Sequence, residues 1–165
     1  MTLSLPRPTF RRIGALALVA ALSACGGGKP DTMYFVEPRA SQAALHPNET
    51  PELRALIQKY SRLYGVPEAL VHRVVIRESR HRPGARNGPY YGLMQILPAT
   101  ARGMGYRGEP AGLLDAETNL KYGVKYLRGA YMVADGNHDA AVKWYARGYY
   151  YEAKRKGLLQ ATGLR

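Results

Sequence analysis

The chain has 165 residues, of which 24 are lysine or arginine and 12 are aspartate or glutamate, so its formal net charge is +12. This length suits one domain with appended segments, and the one cysteine excludes an intramolecular disulfide. A basic protein often binds nucleic acid. The first residues of this chain, taken up next, indicate export, and an exported chain rarely meets nucleic acid. We therefore expect no nucleic-acid partner. An anionic polymer of the cell envelope is the simpler partner, although a basic surface without a particular target also fits this composition.

The first 24 residues have the layout of a cleavable secretory signal. Arg7, Arg11 and Arg12 form a positively charged start, and an apolar run follows at residues 13–22. This run is too short to cross a bilayer as a stable helix, and small residues come after it. We therefore expect residues 1–24 to be a signal peptide that is removed from an exported chain.

The signal-like segment ends in LSACG (residues 22–26), which resembles the bacterial lipobox. The resemblance implies that Cys25 is lipidated and becomes the first residue of the mature chain, and that Gly26 directs it to the outer membrane. Each buried acyl methylene contributes about 0.8 kcal/mol, so two or three acyl chains would hold the protein on the periplasmic side of a membrane. An incidental or buried thiol is the alternative.

Residues 25–49 are rich in glycine, proline and polar side chains, which is typical of a flexible tether. A domain is predicted over residues 50–160, beginning with a helix. Thr50 is suited to cap this helix, Pro51 to its first position and Gly65 to its end. Its predicted apolar face consists of Leu53, Leu56, Ile57, Tyr60 and Leu63.

Helical spacing continues through the rest of the predicted domain. Further helices are predicted from Pro67, from Pro98, and over residues 117–134, 139–147 and 149–156. Their clearest apolar faces are Leu70, Val71, Val74 and Val75 in the second helix and Leu120, Val124, Leu127 and Tyr131 in the fourth. Because no stretch shows sustained period-two alternation, the sequence predicts an all-α fold.

The apolar face of the second helix ends on a carboxylate. Glu78 follows Val74 by four residues and Val75 by three, and residues so spaced share one helix face. Partial burial and the negative end of the helix dipole both favour the protonated form, which a general acid needs. The alternative is a frayed helix end at which Glu78 is solvated and pairs with Arg82.

The segments around Glu78 resemble the SLT-type lytic transglycosylases, which are relatives of goose-type lysozyme. Glu78-Ser79 and the later GLMQILPATA (residues 92–101) resemble the first two motifs of that family. NLKYGVKYL (residues 119–127) resembles the helix after the active-site lobe. WYARG (residues 144–148) stands where the family usually has Ala-Tyr-Asn-Ala-Gly, with Ala146 in place of the asparagine and Arg147 in place of the alanine that follows it.

The resemblance implies a lysozyme-like helical domain with a glycan cleft, and no cofactor. It implies cleavage of the β-1,4 bond between N-acetylmuramic acid and N-acetylglucosamine in peptidoglycan, with Glu78 as the catalytic acid/base. Ser79 would orient Glu78 or contact the muramoyl residue, and Met94 and Gln95 would line the cleft. Tyr145 would hydrogen-bond the Glu78 carboxyl group.

Acidic side chains are scarce near Glu78, since residues 79–108 contain none. Most glycosidases need two carboxyl groups, whereas the family resemblance implies a single-acid route to a 1,6-anhydro product. Glu109, Asp115 and Glu117 come later, and helix capping and solvation are the alternatives to a catalytic role for them. A muramidase-type hydrolase and a non-catalytic peptidoglycan-binding lipoprotein remain the alternative functions.

Tyrosine predominates among the aromatic residues, with 13 Tyr against two Phe and one Trp. A tyrosine offers a ring face to sugar C–H groups and a hydroxyl to sugar oxygens. The candidates for glycan contact are Tyr90, Tyr91, Tyr145, Tyr149 and Tyr150, with core packing as the alternative for each. We expect no metal, because no ligand spacing is seen among His46, His72, His81 and His138.

Overall fold

The computed structural model describes residues 44–164, so the predicted signal peptide, Cys25 and most of the predicted tether lie outside the described residues. The helices within that range are α1 (Pro51–Tyr64), α2 (Glu68–Ser79), α3 (Pro98–Gly103), α4 (Ala116–Val133), α5 (His138–Arg147), α6 (Tyr150–Arg155) and α7 (Leu159–Thr162). The predicted all-α fold is confirmed. In the same range, no helix is long and apolar enough to cross a membrane.

The non-helical segments between α2 and α4 are short. Strands β1 (Arg86–Asn87) and β2 (Tyr90–Tyr91) form an antiparallel hairpin with Arg86 opposite Tyr91. A 3₁₀ segment, Pro110–Leu114, precedes α4. Two-residue strands are too short to give an alternating pattern, which is why the sequence did not predict this hairpin.

Helix α1 begins and ends where its capping residues predict. The Thr50 hydroxyl oxygen accepts the Leu53 N–H at 3.2 Å, and Gly65 ends the helix with φ +62°. The predicted apolar face is wrong at Leu63, which is 63 % exposed. At 100° per residue, Leu63 lies about 105° from the centre of the buried stripe, whereas Tyr64 lies near that centre and packs against the core.

Helix α4 is the central element, and it packs against α1, α3, α5, α6, α7 and the 3₁₀ segment. Its side chains Leu120, Val124 and Leu127 are fully buried. A Cβ atom at Gly123 would lie 2.5 Å from the sulfur of Met94. The glycine therefore lets α4 come close to the loop after β2, which forms one wall of the site described below.

The end of the predicted tether is part of the folded domain, so that prediction is wrong for residues 44–49. Glu49 is buried and paired with Arg54, whose Nη2 also donates to the Ala44 carbonyl at 3.2 Å. The Asn48 side chain donates to the Arg80 carbonyl at 3.0 Å. A buried carboxylate must be paired to be tolerated, so Glu49 ties this segment to α1.

Gly92 is expected to tolerate no side chain. Its φ is +72°, and an added Cβ would collide with the Asn119 amide and the Leu113 carbonyl oxygen. We expect Gly92→Ala to lower the free energy of unfolding by about 2 to 4 kcal/mol, from left-handed strain plus overpacking. Guanidinium unfolding followed by circular dichroism measures it.

The matched control is Gly88→Ala in the hairpin turn. Gly88 also has a positive φ, +55°, but nothing lies within 4 Å of its added Cβ. This variant should lose only about 1 kcal/mol from backbone strain. Equal losses in the two variants would contradict the tight packing at Gly92.

Candidate active site

A cleft of about 600 Å³ lies where the C-terminal ends of α2 and α5 meet the β-hairpin, the loop after it and α4. Its volume is in the range of small-molecule and sugar sites. The lining residues are Arg77, Glu78, Asn87, Tyr90, Gln95, Ile96, Leu97, Thr100, Tyr126, Tyr145, Ala146, Arg147 and Gly148.

Glu78 lies in the last turn of α2, with 23 % of its side chain exposed. Val74 and Val75, which share its face, are fully buried, so the carboxyl group continues the apolar stripe into the cleft wall. Burial raises the pKa of Glu78 above its ordinary value, and the positive charge of Arg77, 3.5 Å away, partly opposes that rise. Arg82 donates to the Ser79 carbonyl at 3.1 Å instead of pairing with Glu78.

The loop that follows β2 is held by the side chain of Asn119, which is completely buried. Its amide oxygen accepts the Met94 N–H at 2.9 Å, and its amide nitrogen donates to the Tyr91 and Leu113 carbonyls at 2.8 and 2.7 Å. One side chain thus satisfies three buried backbone groups of two segments. Sequence reasoning missed this role, although Asn119 lies four residues before Gly123 on the face of α4 that enters the core.

Gln95 lines the cleft with a left-handed backbone, φ +45°. Its side-chain nitrogen donates to the Ala85 carbonyl at 3.1 Å and to the Gly92 carbonyl at 2.8 Å. These bonds fix the amide group and leave its oxygen as an acceptor for a sugar hydroxyl. Gln95 thus lies in the cleft wall, and its role toward a glycan remains a prediction.

Tyr145 joins two walls of the cleft. Its ring is buried, and its hydroxyl donates to the Met94 carbonyl at 2.8 Å. A phenol has one proton and Met94 receives it, so in this arrangement Tyr145 does not also donate to the Glu78 carboxyl group. The two side chains still interact, since burial and then the negative charge of Glu78 raise the pKa of Tyr145 well above its ordinary value.

Three further predicted contact residues lie outside the cleft lining. Ser79 is buried, and its hydroxyl donates to the Val75 carbonyl at 3.2 Å. The Met94 side chain is fully buried against α4, so its backbone carbonyl serves the site. Tyr91 is packed in a smaller apolar cluster, and its exposed neighbour Tyr90 lines the cleft.

Tyr126 of α4 lines the cleft and was missed from the sequence. Its ring packs edge-on against Tyr145, with ring centroids 5.4 Å apart. Tyr149, a candidate for glycan contact, is almost completely buried and belongs to the core instead. Its hydroxyl donates to the Tyr126 carbonyl at 2.9 Å. Tyr150 is also outside the lining.

Among the described residues that line the cleft, Glu78 is the one with a carboxyl group. Asp115 caps α4 by accepting the Thr118 N–H at 2.8 Å. Glu117 accepts from Lys59 at 2.5 Å and from the Tyr60 hydroxyl at 3.1 Å. The alternative of capping and solvation thus accounts for both acids, and the cleft chemistry rests on one carboxyl group.

Ala146 and Arg147, which replace the asparagine and alanine of the family's third motif, both line the cleft. Ala146 leaves space in the lining, and the Arg147 guanidinium lies 3.7 Å from the centroid of the Trp144 ring. This stacking holds a positive charge in place, and no carboxylate within residues 44–164 forms an ion pair with it. With Arg77, it makes this side of the cleft basic.

Residues 55–161 match the family model described as Transglycosylase SLT domain. The matched range begins within α1, ends within α7 and includes every residue of the cleft lining. It covers the elements that hold Glu78, the loop after β2 and Tyr145.

The raised pKa of Glu78 predicts a pH-dependent cost in stability. The folded chain keeps this proton to a higher pH than the unfolded chain, whose glutamate has a pKa of about 4.3. Ionisation therefore weakens folding as the pH rises from that value through the raised pKa. Glu78→Gln should melt higher than the unsubstituted protein above the raised pKa, and its advantage should shrink below about pH 4.

Melting temperatures measured across this pH range test the sign, and Glu117→Gln is the opposite control. Lys59 and Tyr60 hold the pKa of Glu117 below its ordinary value, so its stabilisation is present at neutral pH and lost in acid. Glu117→Gln should therefore melt lower at neutral pH. The same sign in both variants would contradict the buried state of Glu78.

Proposed function

The chain belongs to the transglycosylase SLT family, whose members are lytic transglycosylases that act as lyases on peptidoglycan, and from this premise we propose how its cleft performs that reaction. Glu78 acts as the single general acid and base on the β-1,4 bond between N-acetylmuramic acid and N-acetylglucosamine. The product carries a 1,6-anhydro-muramoyl end. The observation that carries this proposal is the one carboxyl group in the described lining of the cleft.

In the first step, protonated Glu78 gives its proton to the glycosidic oxygen. The bond from that oxygen to C1 of the muramoyl residue breaks, and C1 acquires oxocarbenium character. The raised pKa keeps a proton on Glu78 at a higher pH than an exposed glutamate would retain it. The developing carboxylate faces the positive charge of C1 at close range.

In the second step, ionised Glu78 takes the proton of the C6 hydroxyl of the same sugar. The C6 oxygen attacks C1, which closes the anhydro ring and returns Glu78 to its protonated state. The proton count balances, and water does not enter the reaction. A second carboxylate is needed only where water must be activated or a glycosyl-enzyme bond must form.

The other lining residues are proposed to bind the glycan. The Gln95 amide oxygen is free to accept from a sugar hydroxyl, and the rings of Tyr90 and Tyr126 offer faces to sugar C–H groups. Arg77 and Arg147 make one side of the cleft basic, which suits the carboxylates of peptidoglycan stem peptides. This charge pairing would be screened over about 8 Å at physiological salt.

Digestion of purified sacculi tests the reaction. We expect muropeptides that lack one water relative to hydrolysis products in mass spectrometry. Glu78→Gln should reduce product formation by about 10³-fold or more, because the amide keeps the shape and cannot donate this proton. Glu109→Gln, an exposed residue outside the cleft, is the control and should retain activity.

Two outcomes would contradict this proposal. Hydrated reducing ends would identify a muramidase-type hydrolase. Binding of sacculi by the unsubstituted protein without soluble product would favour a non-catalytic role in positioning other envelope proteins.

The same proposal places the enzyme on the periplasmic face of the outer membrane, through a lipid on Cys25. The sequence LSACG, its apolar precursor run and the peptidoglycan substrate support this location. Cys25→Ser should lose metabolic labelling with palmitate and move from the membrane fraction to the soluble fraction. Ser23→Ala is the control and should keep both. An unlabelled, soluble unsubstituted protein would exclude the anchor.

A further inference from the structure

A second cavity, of about 530 Å³, lies between α2 and the segment that precedes α1. It shares no lining residue with the catalytic cleft. Its polar side is formed by His46, Arg54, Glu68 and His72, and its apolar side includes Ile76. We propose that His46, Glu49 and His72 bind a divalent transition metal ion of the zinc type at the polar side of this cavity.

The first argument is the position of the donor atoms. One nitrogen of His46, one of His72 and one carboxylate oxygen of Glu49 all lie within 4.8 Å of one another. Donors bound to tetrahedral zinc at 2.0 to 2.1 Å lie about 3.4 Å apart, so the atoms must close by about 1.4 Å at most. Side-chain rotation can supply that movement. The sequence concealed this arrangement, because two donors come from a loop and the third from a helix.

The second argument is an unsatisfied nitrogen. Nε2 of His72 is buried and has no hydrogen-bond partner among the described residues. The nearby carboxylate oxygens are Oε1 of Glu68 at 3.4 Å and Oε1 of Glu49 at 3.8 Å. A buried polar atom left without a partner is costly and calls for an explanation. A cation placed between Nε2 and these oxygens would give the nitrogen a partner and would be bound by negative charge on two sides.

The third argument is the state of the His72 ring. Its other nitrogen, Nδ1, lies 3.1 Å from Nε2 of the buried His81. When Nδ1 donates to His81, Nε2 keeps its lone pair, which is the form that binds a metal. His46 packs on both rings, with centroids 4.7 Å from His72 and 5.1 Å from His81. The imidazoles are therefore held in place before any ion arrives.

The fourth argument is the charge around the site. Glu49 accepts from Arg54 on both oxygens, each at 2.6 Å, and its Oε2 also accepts the His46 backbone N–H at 2.8 Å. A carboxylate has about four lone-pair positions, so these donors leave one on Oε1, the oxygen that faces His72. Glu68 is placed to give a further oxygen ligand from the open side of the cavity.

The balance of formal charge also favours a cation. With neutral imidazoles, Glu49 and Glu68 carry two negative charges against one positive charge on Arg54. Arg73, which also lines the cavity, is paired with Asp139 at 2.5 Å. A bound ion would join the end of the predicted tether to the middle of α2, so its effect is on stability rather than on the chemistry at Glu78.

Zinc titration of the full chain tests the site, with Cys25→Ser present to remove the one thiol and mild detergent to keep the apolar start soluble. Competition with a chromophoric chelator should give one tight site per chain, and zinc should raise the melting temperature. His46→Gln should weaken zinc binding at least tenfold and abolish the temperature shift. His46 is the residue to change because it is only partly buried, whereas a change at the buried His72 would disturb the core.

The control is His138→Gln at the start of α5, which should bind zinc like the unsubstituted chain. X-ray absorption at the zinc edge should show two imidazole ligands. Three results would overturn the site: no saturable binding, unchanged zinc affinity in His46→Gln, or equal weakening in His138→Gln. The last result would indicate adventitious binding to surface histidines.

Discussion

The structure of the cleft depends on the side chain of Asn119, a neutral amide that is completely buried. Its three hydrogen bonds hold the loop after β2 to the centre of α4 and to the 3₁₀ segment. Each would leave a buried backbone group unpaired if it were lost, at about 1 to 3 kcal/mol. The glycines at positions 92 and 123 keep side chains out of this contact. The position of Gln95 and of the Met94 carbonyl follows from the same anchorage.

The pKa of Glu78 is raised because its charged form is partly buried and has too few favourable partners. Helix α2 places it in register with fully buried valines, and α5 contributes Tyr145 to the same cleft, where the charge of Glu78 acts on it. Arg77 is close but half-exposed, so its attraction is weakened by water. Desolvation therefore prevails over the ion pair, and the pKa of the Glu78 carboxyl group lies above its ordinary value.

Local patterns predicted most of the helices and the position of Glu78 on the apolar face of α2. They could do so because 3.6-residue periodicity and capping residues act within a few positions of the chain. Val74, Val75 and Glu78 show their common face through spacing alone. Asn119, Tyr126 and the histidine cluster escaped prediction, because their partners lie far away in sequence. Their roles exist only after α4 and α2 are packed, and no short motif encodes that packing. The prediction for Leu63 failed for a smaller reason, because this residue lies about one residue's rotation from the centre of the buried stripe of α1.

One bond described above, from the Tyr145 hydroxyl to the Met94 carbonyl, joins α5 to the loop after β2, which are two walls of the cleft. The cleft cannot widen between these two walls without breaking this buried hydrogen bond. This bond therefore opposes separation of α5 from the loop after β2. A stiff, cross-linked polymer that cannot wrap around a protein would enter such a cleft lengthwise. The polymer, rather than these two walls of the cleft, would then change its conformation on binding.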